Sequence, residues 1–307
     1  MPTSAPDATT DATTDATTVT AAVLREWALP AAGTGKDARG RVLVVGGSDQ
    51  TPGAVLLAAE AALRSGAGKL QVATVASTAL AVAVALPEAL VVPLPEAAGD
   101  VDPAAAEQLL ELARGSSAVL LGPGMRDVDA VRALLEGVLP HLRPEDVGAL
   151  VLDAAAHAWV GEHPDGLRHL PGQVLLTPNP TELALTLGVD REDVTADPAR
   201  HARELARKVG AVVSCGGGES WISDAEGRLW VDQSGGVGLG VSGSGDVHAG
   251  IVTGLAARGA TPAQAAVWGA HLHGRAGDRL SASVGRLGFL AREVPPEVPR
   301  VLSELEA

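Results

Sequence analysis

Val241-Ser242-Gly243-Ser244-Gly245-Asp246-Val247-His248-Ala249-Gly250 sets small residues and one carboxylate directly before the apolar run 251–257. A glycine-rich turn that feeds a helix leaves the first peptide N–H groups unpaired, and the helix macrodipole adds partial positive charge there. Such a junction binds anions, phosphate among them. The same field favours an ionised Asp246, and a carboxylate beside a bound phosphate can take the proton of an attacking hydroxyl. The chemistry indicated is phosphoryl transfer. These residues also suit an ordinary helix cap with glycines for close packing, and spacing alone does not separate the two readings.

Positioning such a site requires elements that end in tight turns, and from Arg41 the chain supplies them. Residues 42–45, 70–74, 118–121, 149–152, 174–176 and 211–214 are short apolar runs, as in buried parallel strands. Most of them run into glycine or polar turns: Gly46-Gly47-Ser48, Gly122-Pro123-Gly124, Asp153, and Thr177-Pro178-Asn179-Pro180-Thr181-Glu182. Helical segments are expected at 53–64, 104–114, 127–139, from Glu182 to about Leu187, and at about 247–258 and 262–281. Residues 221–223 and 228–231, split by Asp224-Ala225-Glu226-Gly227, read as an antiparallel pair at the sheet edge. Alternating strands and helices specify an α/β fold with a mostly parallel sheet covered on both faces. Ligands of such sheets sit outside the strand carboxyl ends, where all these turns fall.

Composition narrows the setting. Hydrophobic residues make up 46% of the 307 and aromatics only 2%, so the core is Ala, Val and Leu packing. A net charge of −14 disfavours nucleic-acid or anionic-membrane partners, so a phosphate must be held by local amides or a metal. The single cysteine, Cys215, excludes an intramolecular disulfide and fits a reducing compartment. No secretory leader pattern and no long apolar span is present; a cytoplasmic protein is expected. Residues 1–20 repeat Asp-Ala-Thr-Thr three times and read as a disordered arm ahead of one domain over 21–307.

The stretches Arg41–Ser48, Pro52–Ala54 with Ala61–Gly68, Leu121–Gly124, Leu152–Ala154, Thr177–Glu182, Gly243–Val247 with Ala249–Gly250, and His271–Asp278 follow one another in a familiar order. Together they resemble the ADP-dependent NAD(P)H-hydrate dehydratases, a branch of the ribokinase-like fold. The resemblance implies repair of a nicotinamide cofactor that has added water across a ring double bond. Phosphorylating the hydroxyl, with ADP or ATP as donor and Mg²⁺ assisting, converts a poor leaving group into a good one. It makes Asp246 the base and Gly243, Ser244 and Gly245 the phosphate cradle. It places Gly216, Gly217 and Ser220 at the nucleotide, Ala54, Gly124, Asn179 and Asp246 at the hydrate, and Glu182 at the metal. Homo-oligomers and a separate hydrate epimerase are also implied.

The chain departs from the family pattern in places. Asn179 and Thr181 stand where His and Gly are usual, and Cys215-Gly216-Gly217-Gly218-Glu219-Ser220 replaces a Lys-Gly-x-x-Thr element. That removes an ammonium and adds a carboxylate near the expected anion. A vitamin-type alcohol kinase of the same fold, or a nucleotide binder with weakened catalysis, are the competing readings. Cys215 reads as a reactive thiol or a buried hydrophobe, the latter preferred. His248 is expected to face solvent or bond along its helix. His271 and His273, two apart on a helix, cannot face one ligand. Asp153 orients metal or water, or caps a helix; Asp278 reads as structural.

Overall fold

A computed structural model describes residues 15–31 and 33–306. Its strands are β1 (Thr17–Thr18), β2 (Arg41–Val45), β3 (Lys69–Val75), β4 (Ala89–Leu94), β5 (Glu96–Ala97), β6 (Asp100–Val101), β7 (Ser116–Leu121), β8 (Val147–Leu152), β9 (Val174–Leu176), β10 (Val212–Cys215), β11 (Ser220–Ser223) and β12 (Leu229–Asp232). The helices are α1 (Ala21–Glu26), α2 (Gly53–Arg64), α3 (Ala76–Ala85), α4 (Ala106–Ala113), α5 (Val128–Val138), α6 (His157–Glu162), α7 (Pro180–Leu187), α8 (Arg191–Ala196), α9 (Pro198–Val209), α10 (Ser244–Ala257), α11 (Pro262–Ser283) and α12 (Val298–Glu306).

Ten strands form one sheet in the order β1-β12-β11-β10-β9-β8-β7-β2-β3-β4, while β5 and β6 pair separately. Only β11 runs against the other nine. Alternate strand residues go to opposite faces because the side-chain period is two. Val42, Val44, Val72, Leu120 and Val151 pack with α2, α10, α11 and α12 in one core. Leu43, Val45, Val119, Leu121 and Leu152 pack with α4, α5, α7 and α9 in the other. Two covered faces explain why the strands are continuous apolar runs rather than alternating ones.

Two expectations change at the margins. Thr17–Thr18, assigned from sequence to the arm, pair in parallel with Trp230 and Val231 of β12. Residues 1–14 of that arm lie outside the described residues. The β11–β12 pair is antiparallel as expected, but β1 covers it, so the sheet edges are β1 and β4. Among the described residues, no helix is long and apolar enough to cross a membrane.

The register Val45↔Leu121, Leu121↔Leu152 and Leu152↔Leu176 lines up Gly46, Gly122, Asp153 and Thr177 along one edge. Helices α2 and α10 both begin at this edge and lie side by side. A Cβ on Gly250 would stand 2.1 Å from the Ala58 carbonyl oxygen, and one on Gly254 would stand 2.4 Å from that of Ala62. Glycines four apart on α10 thus let its backbone touch α2. That contact fixes where the first turn of α10, with Asp246, stands relative to Ala54.

Candidate active site

Helix α10 starts at Ser244, earlier than the sequence pattern suggested, with Gly243 as its N-cap at φ +89. Among the described residues, no side chain caps this helix. Ser244 donates its amide to the Val241 carbonyl at 3.1 Å, which takes that N–H out of the expected cradle. The amides of Gly245 and Asp246 have no protein acceptor among the described residues. A Cβ on Gly245 would meet nothing within 4 Å, so the approach to these donors is open. A Cβ on Gly243, by contrast, would lie 2.4 Å from Leu57 Cδ1. Glycine is needed there for the left-handed turn and for space.

Three carboxyls gather near this turn. Asp246 is pushed up to about 6, first by burial and then by the charge of Glu182. The sequence expectation that the helix field keeps Asp246 firmly ionised is therefore overtaken by desolvation and a like charge. Burial likewise raises Glu182. Asp153 is buried and raised well above the usual carboxylate range, by burial first and by Glu182 and Asp246 next. It stands at the N-cap of the 3-10 turn Ala154–Ala156, but its side chain makes no capping hydrogen bond there and instead accepts one from Thr177 Oγ1 at 2.7 Å.

Ala54 and Gly124, both expected at the hydrate, come together: a Cβ on Gly124 (φ +71) would stand 2.8 Å from that of Ala54. Thr51 braces the pair, its hydroxyl donating to the Gly124 carbonyl at 2.6 Å. Asn179 and Glu182 form a reciprocal capping box on α7. Asn179 Oδ1 accepts from the amides of Thr181 (2.9 Å) and Glu182 (3.0 Å), and Glu182 Oε2 accepts from the Asn179 amide (2.9 Å). Asn179 thus has a complete structural task, while Glu182 keeps Oε1 available.

The loop 216–219 leaves Gly216 half-buried and Gly217 and Gly218 exposed, with Ser220 opening β11. Gln233 Nε2 donates to Glu219 Oε1 at 2.7 Å, tying that carboxylate to the end of β12. Cys215 is buried and its thiol is pushed up to about 12, so it stays protonated and serves as a small hydrophobe.

His248 overturns its expectation. It is buried, its Nε2 has no partner, and its ring lies 5.5 Å from that of His273. Burial lowers His248 to about 4 and His273 to about 3, so both are neutral. His273 Nε2 pairs with Ser244 Oγ at 3.0 Å, while His271 Nδ1 pairs with Asp232 Oδ2 at 2.7 Å. The two histidines of α11 therefore serve different partners, as their spacing requires. Asp278 accepts the Gly235 amide and pairs with Arg275, the structural role expected of it. The sequence reading missed the Ser244–His273 and Asp153–Thr177 pairs, because each joins segments at least 24 residues apart.

Among the described residues, no three His, Cys, Asp or Glu side chains converge closely enough to hold a metal unaided. The carboxylates of Glu182 and Asp246 do fit a hard cation that brings phosphate and water oxygens as its other ligands. A cavity of about 500 Å³ opens beside Glu182, lined by Ala154, His157, Leu185, Arg132 and Lys208, but it includes none of the α10 cradle.

A family model described as NAD(P)H-hydrate dehydratase matches residues 42–300. The chain belongs to that family. It is 45% identical over 288 residues to an ADP-dependent (S)-NAD(P)H-hydrate dehydratase from Xanthomonas campestris, covering 94% of this chain and 96% of the relative. An ADP/ATP-dependent NAD(P)H-hydrate dehydratase from Bacillus subtilis, co-crystallised with ATP/Mg²⁺, superposes with a TM-score of 0.78 at 25% identity, covering 95% of this chain and 99% of the other. A ribokinase-like superfamily protein from Enterococcus faecalis shares the fold at a TM-score of 0.80 and 23% identity, covering 95% and 97%. The ribokinase-like α/β architecture expected from the motifs is the one observed. Of the motif stretches, the turns at Gly46, Gly122, Asp153 and Thr177 lie along one edge of the sheet, Gly243–Val247 starts α10, and Glu219 is held by Gln233.

Proposed function

We propose that this protein dehydrates the S epimer of NAD(P)H hydrate back to NAD(P)H, using ADP or ATP as phosphoryl donor. The carrying observation is Asp246: a carboxyl poised at about 6, in the first turn of a helix whose amides are free and open. A general base works best with a pKa near the working pH, and a phosphate works best against preorganised donors.

Asp246 takes the proton of the hydrate's hydroxyl as that oxygen attacks the terminal phosphorus of the nucleotide. The amides of Gly245 and Asp246, with Gly243 shaping the turn and Ser244 fixed by His273, receive the transferred phosphoryl oxygens. Gly216, Gly217 and Ser220 flank the rest of the nucleotide. The ring nitrogen's lone pair then expels phosphate, and loss of a proton from the neighbouring ring carbon restores the dihydropyridine. Glu182 would hold a Mg²⁺ ion, which would supply positive charge to neutralise the polyphosphate. Ala54 and Gly124 provide a flat, side-chain-poor wall for the dinucleotide, with Asn179 at its rim.

Addition of water to a ring carbon creates two epimers, so an enzyme that interconverts them completes the repair. We further propose a cytoplasmic setting, consistent with a lone unoxidised cysteine, and a homo-oligomer, which would cover exposed Leu80, Leu185 and Leu287. The test is incubation with NADH hydrate, Mg²⁺ and either ADP or ATP, following the near-ultraviolet absorbance of dihydronicotinamide and phosphate release. Nucleotide-dependent recovery with one phosphate per dihydropyridine is expected. A phosphorylated alcohol that persists, or no reaction by folded protein, refutes the assignment.

A further inference from the structure

We propose that Arg292 supplies the positive charge that draws nucleotide phosphates onto the first turn of α10; this rests on the nucleotide-dependent reading above. The loops at the functional edge, residues 46–52, 122–125, 153–156, 177–181, 215–219 and 233–243, contain no Lys or Arg. They contribute Asp49, Asp153 and Glu219, and Glu182 and Asp246 follow at the starts of α7 and α10. A chain with net charge −14 adds a repelling background. Two free amides and a helix terminus carry only partial charges, too little for a di- or triphosphate beside these carboxyls. Arg126, the next cation along the edge, is 3.6 Å from Asp49.

The segment that follows α11 brings a cation to the place where one is missing. It turns at Gly285 (φ +148) and Gly288 (φ +100), and Phe289 anchors it in the core. A Cβ on Gly238 would stand 2.4 Å from the Phe289 ring. The short 3-10 helix Ala291–Glu293 then lies against the cradle: a Cβ on Gly243 would be 3.4 Å from that of Ala291. Glu293 locks this turn by accepting the Leu290 amide at 2.6 Å. Arg292, between them, is exposed and has no ion pair or hydrogen bond among the described residues. Its neighbours are committed: Arg275 to Asp278, Arg279 to Glu297 and Glu304, and Arg300 to Glu297. Arg286 lies earlier in the segment, with its carbonyl against Gly238 rather than Gly243. An unpaired guanidinium on a fixed turn, one residue from the Ala291 that packs against the cap of α10, is suited to a phosphate arriving at that cap.

The experiment compares wild type, Arg292→Met, Arg292→Lys and Arg200→Met, the last removing one exposed charge from α9. Steady-state KM for ADP and for ATP is measured with NADH hydrate and Mg²⁺ at low and physiological salt. Arg292→Met should raise the nucleotide KM about tenfold at low salt and less at high salt, with the hydrate KM unchanged. Arg292→Lys should recover most of the loss, and Arg200→Met should match wild type. An unchanged nucleotide KM in Arg292→Met, an equal rise in the hydrate KM, or an equal effect of Arg200→Met overturns the proposal. Should folded wild type show no dehydration, the functional reading fails on its own. Thermal shifts of wild type and Arg292→Met with ADP and Mg²⁺ then still decide the role of Arg292: equal shifts refute it, and a shift weakened in the variant supports it.

Discussion

Asp246→Asn should separate activity from stability in opposite directions. Burial and Glu182 raise this carboxyl from 3.8 to about 6, so the folded state holds the proton more tightly than the unfolded chain does. The sign follows from linkage: stability is full below about pH 4, falls as pH rises through about 6, and stays lower above it. The ionised group costs the fold at most about 3 kcal/mol at pH 8, and partial exposure screens that to about 1 kcal/mol. Asparagine is neutral throughout, so the variant should melt about 2 °C higher at pH 8 and match wild type near pH 4. Its kcat should fall by about 10²- to 10⁴-fold, the usual contribution of a positioned base. Wild-type kcat/KM for the nucleotide should rise with pH through about 6, and that acid limb should vanish in the variant. Dehydration of NADH hydrate across pH 5–8, with melting curves in the same buffers, reads both effects. Retention of kcat within about tenfold of wild type, or a lower melting temperature at pH 8, would refute the assignment of Asp246 as a desolvated base.

Glu182→Gln keeps the acceptor that closes the capping box but removes the charge that helps raise Asp246. The acid limb of kcat/KM for the nucleotide should move to lower pH, and a limb that stays put would show that Asp246 does not set it. His273→Ala strips Ser244 Oγ of its partner and should cost about 1 kcal/mol in nucleotide binding, read as a rise in nucleotide KM. Because His273 is held near 3, that effect should be the same at pH 6 and pH 8. Gly250→Val drives a side chain into the Ala58 carbonyl and should destabilise the fold by about 3 kcal/mol in urea unfolding. A shift below about 0.5 kcal/mol would mean the α2–α10 contact yields easily.

The strands were legible because a parallel sheet buried on both faces needs unbroken apolar runs, and each run ends in a turn that punctuates it. Helix α9 was not singled out, although His201, Leu205 and Val209 bury one face, since its charged residues mask the stripe. β1 was unreadable: Thr17–Thr18 has no apolar signature and is a strand only because β12 offers it an open edge. At the site, Gly243, Gly245 and Asp246 were found because a helix start is a local event. The partners that tune them were not local. Glu182, which raises Asp246, stands 64 residues before it in the chain, on α7. His248 was misplaced because solvent exposure depends on α11, which packs over it.

Acidity and anion binding at one edge are compatible here because the two charges are needed at different moments. Burial raises Asp246 to about 6 and lifts Asp153 well above the usual carboxylate range, so both hold their protons better while the site is empty, which limits their repulsion of an incoming phosphate. A cation arriving with the nucleotide lowers the pKa of Asp246 by direct attraction, so the share of it present as base rises once the donor is in place. On that logic the acid limb measured with saturating nucleotide and Mg²⁺ should lie below the one in kcat/KM for the nucleotide, which reports the free enzyme. If both limbs fall at the same pH, the carboxyl does not sense the bound donor, and the coupling between charge arrival and base activation is absent.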